Sequence, residues 1–173
     1  MGILLLIRHA KSEYPPDTVD RDRPLSGRGW RDADAAAAWI GAAYPDLDEV
    51  VTSPATRAQQ TWSRISERVR AARTRVDERI YADWGASLPD VVADLDAHSR
   101  VAAIVGHNPG IEEFAAGVTR ATDPSARERL LRKYPTSGIA VVAFREGWTQ
   151  PSSAELIAFA VPRGAGPSGA AGG

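Results

Sequence analysis

The hydrophobic positions of this chain come in short uninterrupted blocks, and the first block sets the frame for the others. Leu4 to Ile7 are all leucine or isoleucine, so a strand there has no polar face and must be covered on both sides, as an interior parallel strand is. The run stops at Arg8 and His9, leaving a guanidinium and an imidazole at the strand's carboxyl end. Glu49 to Thr52 forms a second short strand, followed by the helix start Ser53-Pro54 and, in the first helical turn, Arg57. Val101 to Gly106 forms a buried strand followed by His107-Asn108-Pro109, another proline-marked helix start. In open α/β sheets, ligands bind beyond the carboxyl ends of the strands. If these strands are neighbours, Arg8, His9, Arg57 and His107 converge; if they are not, each is a solvated polar residue closing a strand.

Helical periodicity fills the intervals. Ser26 is placed to cap a helix, with Leu25 and Trp30 at the spacing of a hydrophobic staple. Trp30, Ala33, Ala37, Ile40 and Tyr44 give one apolar stripe that Pro45 ends. After Pro54, the positions Ala58, Trp62, Ile65, Val69 and Ala72 predict a helix reaching into the low seventies. The Arg64, Glu67, Arg68, Arg70 and Arg73 charges fall on its solvated face. Thr74 to Ile80 is a weakly patterned strand, and Ser87 to about His98 is a helix with Pro89 near its start. Ile111, Phe114, Ala115 and Val118 make a short helix, and Asp123 to Tyr134 reads as a charged helical surface insertion. Gly138 to Arg145 and Ala154 to Val161 pair as an antiparallel edge. Residues 13–24, rich in Pro, Asp and Arg, form a surface loop after the first strand. Alternating strands and helices imply right-handed crossovers and a mainly parallel central sheet with helices on both faces and an antiparallel edge strand, an α/β fold. One domain is expected over residues 1–162. Residues 163–173, nearly all Gly, Ala, Pro and Ser, are expected to be a flexible tail.

Composition narrows the chemistry. With 173 residues and 43% hydrophobic content, the chain can bury a sizeable core. A formal net charge of -1 supplies no long-range attraction to nucleic acid or to an acidic membrane. With 0 cysteines, the sequence has no disulfide, thiolate ligand or thiol nucleophile, which is compatible with life in the cytoplasm. Met1-Gly2 and the apolar run behind it lack the basic flank and length of a signal peptide, and Leu6 stands where a myristoylation motif needs Ser or Thr. No segment approaches the roughly 20 apolar residues that span a bilayer.

LIRHAKSE, RPLSGRG, TSPATRAQQT and VGHNPG follow one another in an order that closely resembles the histidine phosphatase superfamily. The short chain and the RHA form look most like its small SixA-type phosphohistidine phosphatases. The resemblance spans nearly everything from Leu4 to Val161 and implies the phosphoglycerate mutase-like three-layer fold. It makes His9 the nucleophile that takes the phosphoryl group, with Arg8, Arg57 and His107 gripping the phosphoryl oxygens. A neutral imidazole is a competent nucleophile near neutral pH. Two guanidinium forks suit a group whose charge is spread over three oxygens in flight. His107 is expected to be protonated when the anion is bound and to donate to it. Ser12 matches the serine of the longer family motif, while Pro15 replaces the family's asparagine and removes one polar contact. Asn108 either contacts substrate or caps the helix behind Pro109. Glu78, in Asp77-Glu78-Arg79-Ile80-Tyr81-Ala82, resembles the mutase acid and is the general-acid candidate; a surface ion pair is its other reading. Asp17, Asp20 and Asp22 are weaker candidates, and His98 carries no chemistry.

The reading that follows is a phosphatase working through a phosphohistidine intermediate on a histidine-phosphorylated protein, as a cytoplasmic monomer without metal or cofactor. Two alternatives stand beside it: a broad phosphomonoesterase for small metabolites or nucleotides, and a phosphate-binding module without turnover. A metallohydrolase fits poorly, because 3 histidines without an HxH or HxxxH spacing make a weak ligand set.

Overall fold

The computed structural model describes residues 1–82, 86–118 and 120–165. Its centre is a seven-stranded sheet made of β1 (Gly2–Arg8), β2 (Asp46–Thr52), β3 (Arg70–Val76), β4 (Val101–Gly106), β5 (Arg120–Ala121), β6 (Ile139–Phe144) and β7 (Ala154–Ala160). The order is β3-β2-β4-β1-β6-β7-β5. β4 pairs in parallel with both β1 and β2, and β2 pairs in parallel with β3. The carboxyl ends of β2, β4 and β1 therefore stand side by side, as convergence of the four predicted groups requires. β6 is antiparallel to both β1 and β7, and the two-residue β5, which carries no pattern of its own in the sequence, lies outermost beside β7.

Leu4, Leu5, Leu6 and Ile7 are all fully buried. Leu4 and Leu6 face one core layer with Ile104, Val142 and Phe144; Leu5 and Ile7 face the other with Ile40, Val50 and Trp62. Burial of each such side chain contributes about 1.5–3 kcal/mol, so β1 is pinned by both layers at once.

α1 (Gly27–Ala43) begins as expected: the Ser26 hydroxyl accepts the Gly29 N–H at 3.1 Å, and Leu25 and Trp30 pack with Ala10 and Ala33. Gly29 has a further reason to be glycine, since a Cβ there would lie 2.0 Å from the Lys11 carbonyl. α1 thus packs directly against the backbone just beyond His9.

α2 (Thr56–Ile65) ends well before the predicted limit, and residues 70–76 are β3 instead. Arginine and alanine favour helix, but Arg73 and Arg75 pair with the buried carboxylate of Glu49 on the neighbouring strand. Those ion pairs outweigh the local preference. Residues 79–82, expected to close a strand, form the short helix α3 (Arg79–Ala82). α4 (Leu88–Ala93) and α5 (Gly110–Gly117) follow the expected apolar positions, with α4 stopping short of His98.

α6 (Pro124–Arg132) is not a surface insertion. Ala126 and Leu130 are buried in the core, and Tyr134 just beyond them is 1% exposed. The Tyr134 hydroxyl donates to the Leu6 carbonyl at 2.6 Å and accepts the Ala140 N–H at 2.9 Å, tying α6 to β1 and β6. The predicted tail is held at its first residues: Arg163 Nη1 and the Gly164 N–H donate to the buried carboxylate of Asp32 at 2.9 and 3.2 Å. Residues 166–173 of that tail lie outside the described residues. Among the described residues, no helix is long and apolar enough to cross a membrane.

Candidate active site

A pocket of about 290 Å³ opens over the carboxyl ends of β1, β2 and β4, at the small end of ligand clefts. Its lining includes Arg8, His9, Ser12, Arg57, His107 and Asn108, so most of the predicted site is gathered in one place. Lys11, Tyr14, Asp20, Arg23 and Thr136 join them.

His9 is 8% exposed, and its Nδ1 lies 2.7 Å from the Ala10 carbonyl. A carbonyl can only accept, so Nδ1 carries the proton and Nε2 keeps its lone pair. The Ala10 N–H donates to Thr61 Oγ1 at 3.0 Å, and that hydroxyl donates to the Arg57 carbonyl at 2.7 Å. α2 thereby clamps the turn that carries His9. From the other side, Ser137 adopts φ 60° and aims its N–H at the carbonyls of Arg8 and His9, both at 3.2 Å. That left-handed conformation costs a non-glycine residue about 1–2 kcal/mol.

His107 lies against His9, with ring centroids 4.9 Å apart. Its Nε2 is 2.7 Å from Ser53 Oγ, which also accepts the Ala55 N–H at 3.2 Å. Ser53 does not cap α2, whose first turn opens at Ala55 without a side-chain cap; it holds the second histidine. Ser53 Oγ already accepts the Ala55 N–H and its own hydrogen has no other acceptor among the described residues, so it donates to Nε2 and the His107 proton sits on Nδ1.

Arg8 Nη1 donates to the Tyr134 carbonyl at 2.7 Å, and Asn108 Nδ2 donates to the same carbonyl at 3.0 Å and to Glu112 Oε2 at 2.8 Å. Asn108 is thus fixed by α6 and α5 rather than used as a helix cap. Arg57, 4% exposed, gives Nη1 to the Asp20 carbonyl at 2.6 Å and Nη2 to Asp20 Oδ2 at 2.9 Å. Asp20 also accepts from Arg23 Nη1 at 2.9 Å and from the Tyr81 hydroxyl at 3.0 Å. Ser12 Oγ accepts from Arg23 Nη2 at 2.8 Å.

What these bonds leave over is informative. Arg8 Nε, Arg57 Nε and His107 Nδ1 are buried N–H groups with no partner among the described residues, and all three belong to pocket-lining side chains; Asn108 Oδ1, an acceptor on the same lining, is also unpartnered. An unmet buried donor costs about 1–3 kcal/mol, so three at one pocket mark a place prepared for an acceptor.

Electrostatics agree with that reading. Burial, then the neighbouring His107 and the Arg57 and Arg8 charges, push the His9 pKa well below its ordinary value despite the Ala10 hydrogen bond. Burial and the Arg57 and Arg8 charges bring His107 down to about 3, with Asp20 opposing. In the free site both rings are neutral at pH 7, and protonation of His107 requires the anion that would offset those charges. Burial works against the Asp20 carboxylate, but hydrogen bonds from Arg23 and Arg57, the Arg57 charge and the Tyr81 hydroxyl hold it at about 2. Asp20 is therefore an anion at neutral pH and has no proton to give.

Depressed histidines also make the fold acid-sensitive. In the unfolded chain a histidine takes up its proton near pH 6.5, whereas His107 resists until about pH 3. The unfolded state binds more protons in that window, so stability falls as pH drops from about 6.5 toward 3, by an amount on the order of a few kcal/mol. His107→Asn is expected to flatten this slope in urea titrations at pH 7, 5.5 and 4. Parallel slopes for the two proteins would show that His107 is not the buried neutral group.

Glu78 does not join the pocket. It pairs with Arg21 at 2.8 Å on the surface, the two side chains being 63% and 46% exposed. The helical turn at 79–82 carries Tyr81 to Asp20 instead. Glu78→Gln is expected to leave turnover of alkyl and aryl phosphates within about twofold, as for other surface ion pairs; a selective loss on alkyl substrates would restore it as an acid. Asp17 and Asp22 are exposed and do not line the pocket, and His98 is 99% exposed beside Asp96. Among the described residues, no three His, Asp or Glu side chains are grouped to hold a metal ion.

Thr61, Arg23, Tyr14, the Tyr134 carbonyl and Ser53 in its contact with His107 belong to the site without standing out in the sequence pattern. Thr61 had a signal, since it lies four residues after Arg57 on the same helix face. A backbone carbonyl has none.

The sequence model of the histidine phosphatase superfamily (branch 1) matches residues 4–145. An uncharacterised protein of Mycobacterium tuberculosis is 37% identical over 161 residues, covering 91% of this chain and all of that protein. Among solved structures, a protein of Nakamurella multipartitia assigned as a phosphohistidine phosphatase SixA superposes with a TM-score of 0.81 at 29% identity, over 93% of this chain and 96% of that one. The protein histidine phosphatase SixA complexed with tungstate superposes at 0.72 and 19% identity, over 92% and 97%, a likeness of fold.

Proposed function

Because the chain belongs to the histidine phosphatase superfamily, we propose that it dephosphorylates phosphohistidine on a protein by way of a phosphoryl group carried on His9. The observation that carries this reading is the set of three buried, unpartnered N–H donors from Arg8, Arg57 and His107 beside a neutral His9 whose Nε2 makes no hydrogen bond among the described residues. In the first step Nε2 attacks phosphorus while the bond from phosphorus to the leaving nitrogen breaks, and that nitrogen takes a proton from solvent. In the second step water attacks, the P–N bond to His9 breaks, and inorganic phosphate leaves. The charge that builds on the equatorial oxygens meets the two guanidinium groups and the His107 N–H. Ser12 lines the same pocket and offers its hydroxyl to the substrate, while Asn108, whose amide hydrogens are committed to Glu112 and the Tyr134 carbonyl, shapes the wall beside it.

A leaving imidazole is readily protonated by water, so this substrate class does without a dedicated acid. That suits a pocket whose carboxylate, Asp20, is held ionised. A phosphohistidine side chain on a protein can reach the pocket because Lys11 and Tyr14 on its lining are exposed rather than roofed over. The reading needs neither metal nor cofactor and gives the enzyme a phosphorylated protein partner in the cytoplasm, with the monomer as working unit. Small phosphomonoesters are the second reading, since the same opening admits them.

The test is to compare turnover of a phosphohistidine peptide, a sugar phosphate and a nucleotide monophosphate. Each reaction is quenched in alkali and the protein searched for an alkali-stable, acid-labile adduct. A strong preference for the peptide with the adduct on His9 is expected. Equal turnover of all three would favour the broad phosphomonoesterase, and binding of phosphate without turnover would leave a phosphate-binding module.

A further inference from the structure

Tyr14 stands apart from the rest of the pocket lining. It is 76% exposed although it borders the same cavity as the buried His9 and Arg57. One face of its ring is occupied, with the Arg23 guanidinium carbon 3.0 Å from the ring centroid. Arg23 is 7% exposed and cannot drift: its Nε donates to the Glu13 carbonyl at 3.1 Å, Nη1 to Asp20 at 2.9 Å and Nη2 to Ser12 at 2.8 Å. The chain continues into Pro15 and Pro16, and a proline restricts the residue before it to extended backbone. The phenol ring is therefore fixed from beneath and behind, while its exposure leaves the second face open to solvent.

An in-line displacement sends the leaving group away from the attacking atom. With His9 buried at the floor, the leaving group points to the mouth, where Tyr14 lies. We infer that Tyr14 is the specificity-determining platform on which a planar heteroaromatic leaving group, the imidazole of phosphohistidine, stacks. This rests on the phosphohistidine reading for the identity of the ring, but the platform itself is a geometric property of the pocket. Stacking of a flat ring on an aromatic side chain is worth about five- to 150-fold in affinity. The hydroxyl plays no part.

The closing experiment uses phosphonates, which are not hydrolysed, and so separates the platform from the chemistry. Phenylphosphonate and methylphosphonate are titrated calorimetrically into wild type, Tyr14→Phe and Tyr14→Ala, and imidazole phosphate and glycerol phosphate are assayed as substrates. Wild type and Tyr14→Phe are expected to prefer phenylphosphonate by about tenfold or more. Tyr14→Ala is expected to lose that preference while holding methylphosphonate as before, and to raise KM for imidazole phosphate with little change in kcat. A wild type without preference, a preference that survives in Tyr14→Ala, or failure of both phosphonates to bind overturns the platform. A Tyr14-dependent preference without turnover of imidazole phosphate leaves the platform standing and refutes the phosphohistidine reading instead.

Discussion

Replacement of His9 by alanine is expected to abolish turnover and covalent labelling while leaving an anion-binding pocket in place. The imidazole is the group whose geometry is set for attack: Nδ1–H is committed to the Ala10 carbonyl, and burial with the surrounding charges keeps Nε2 unprotonated. Among the described residues that line the pocket, none matches it as a nucleophile, since Arg8, Arg23 and Arg57 present guanidinium groups and His107 Nε2 is engaged by Ser53. Loss of a covalent nucleophile typically removes about 10⁴-fold or more of the rate. The fold should survive, because the His9 backbone N–H still reaches the Gly106 carbonyl and the Thr61 clamp acts through Ala10. Arg8 Nε, Arg57 Nε and His107 Nδ1 remain, so tungstate binding, followed calorimetrically, should persist. Radiolabel from a phosphorylated substrate appearing on any other residue would refute the assignment, as would turnover within about 100-fold of wild type.

The part of this site that is legible in the sequence is the part carried on strand ends. An apolar run with no polar face can only be interior, so the residues that stop it must emerge at the strand's carboxyl end, and Arg8, His9 and His107 do so. Arg57 was legible for a related reason, being in the first turn of a helix that starts at the end of β2. What could not be read is everything held by long-range ion pairs and carbonyls. β3 carries Arg70, Arg73 and Arg75 with almost no apolar pattern, and its position is set by Asp46 and Glu49 on the neighbouring strand. Asp20 sits in a segment without period, and only the fold shows that it faces Arg57, Arg23 and Tyr81 together. Glu78 and Asp20 illustrate the limit: local resemblance favoured the first, and the turn of a four-residue helix brought the partner of the second into place.

Arg57→Ala should cost about 10³-fold in kcat/KM, on the order of 4 kcal/mol of transition-state stabilisation, as for loss of a buried donor to a transferring phosphoryl group. The same change should move the acid limb of the pH–rate profile. Arg57 is one of the charges that depress both His9 and His107, so its removal raises their pKa values, and the nucleophile is lost to protonation at a higher pH than in wild type. The limb therefore shifts toward neutrality. Arg57→Lys separates the two effects. A lysine restores a positive charge near the histidines and should return the limb most of the way, but an ammonium lacks the fork that holds Asp20 through two nitrogens while a third N–H stays unpartnered. Its rate should stay well below wild type. If lysine instead recovers both rate and profile, Arg57 acts as a point charge and its directed N–H is not part of the phosphoryl cradle. If alanine changes neither, Arg57 serves only to anchor Asp20.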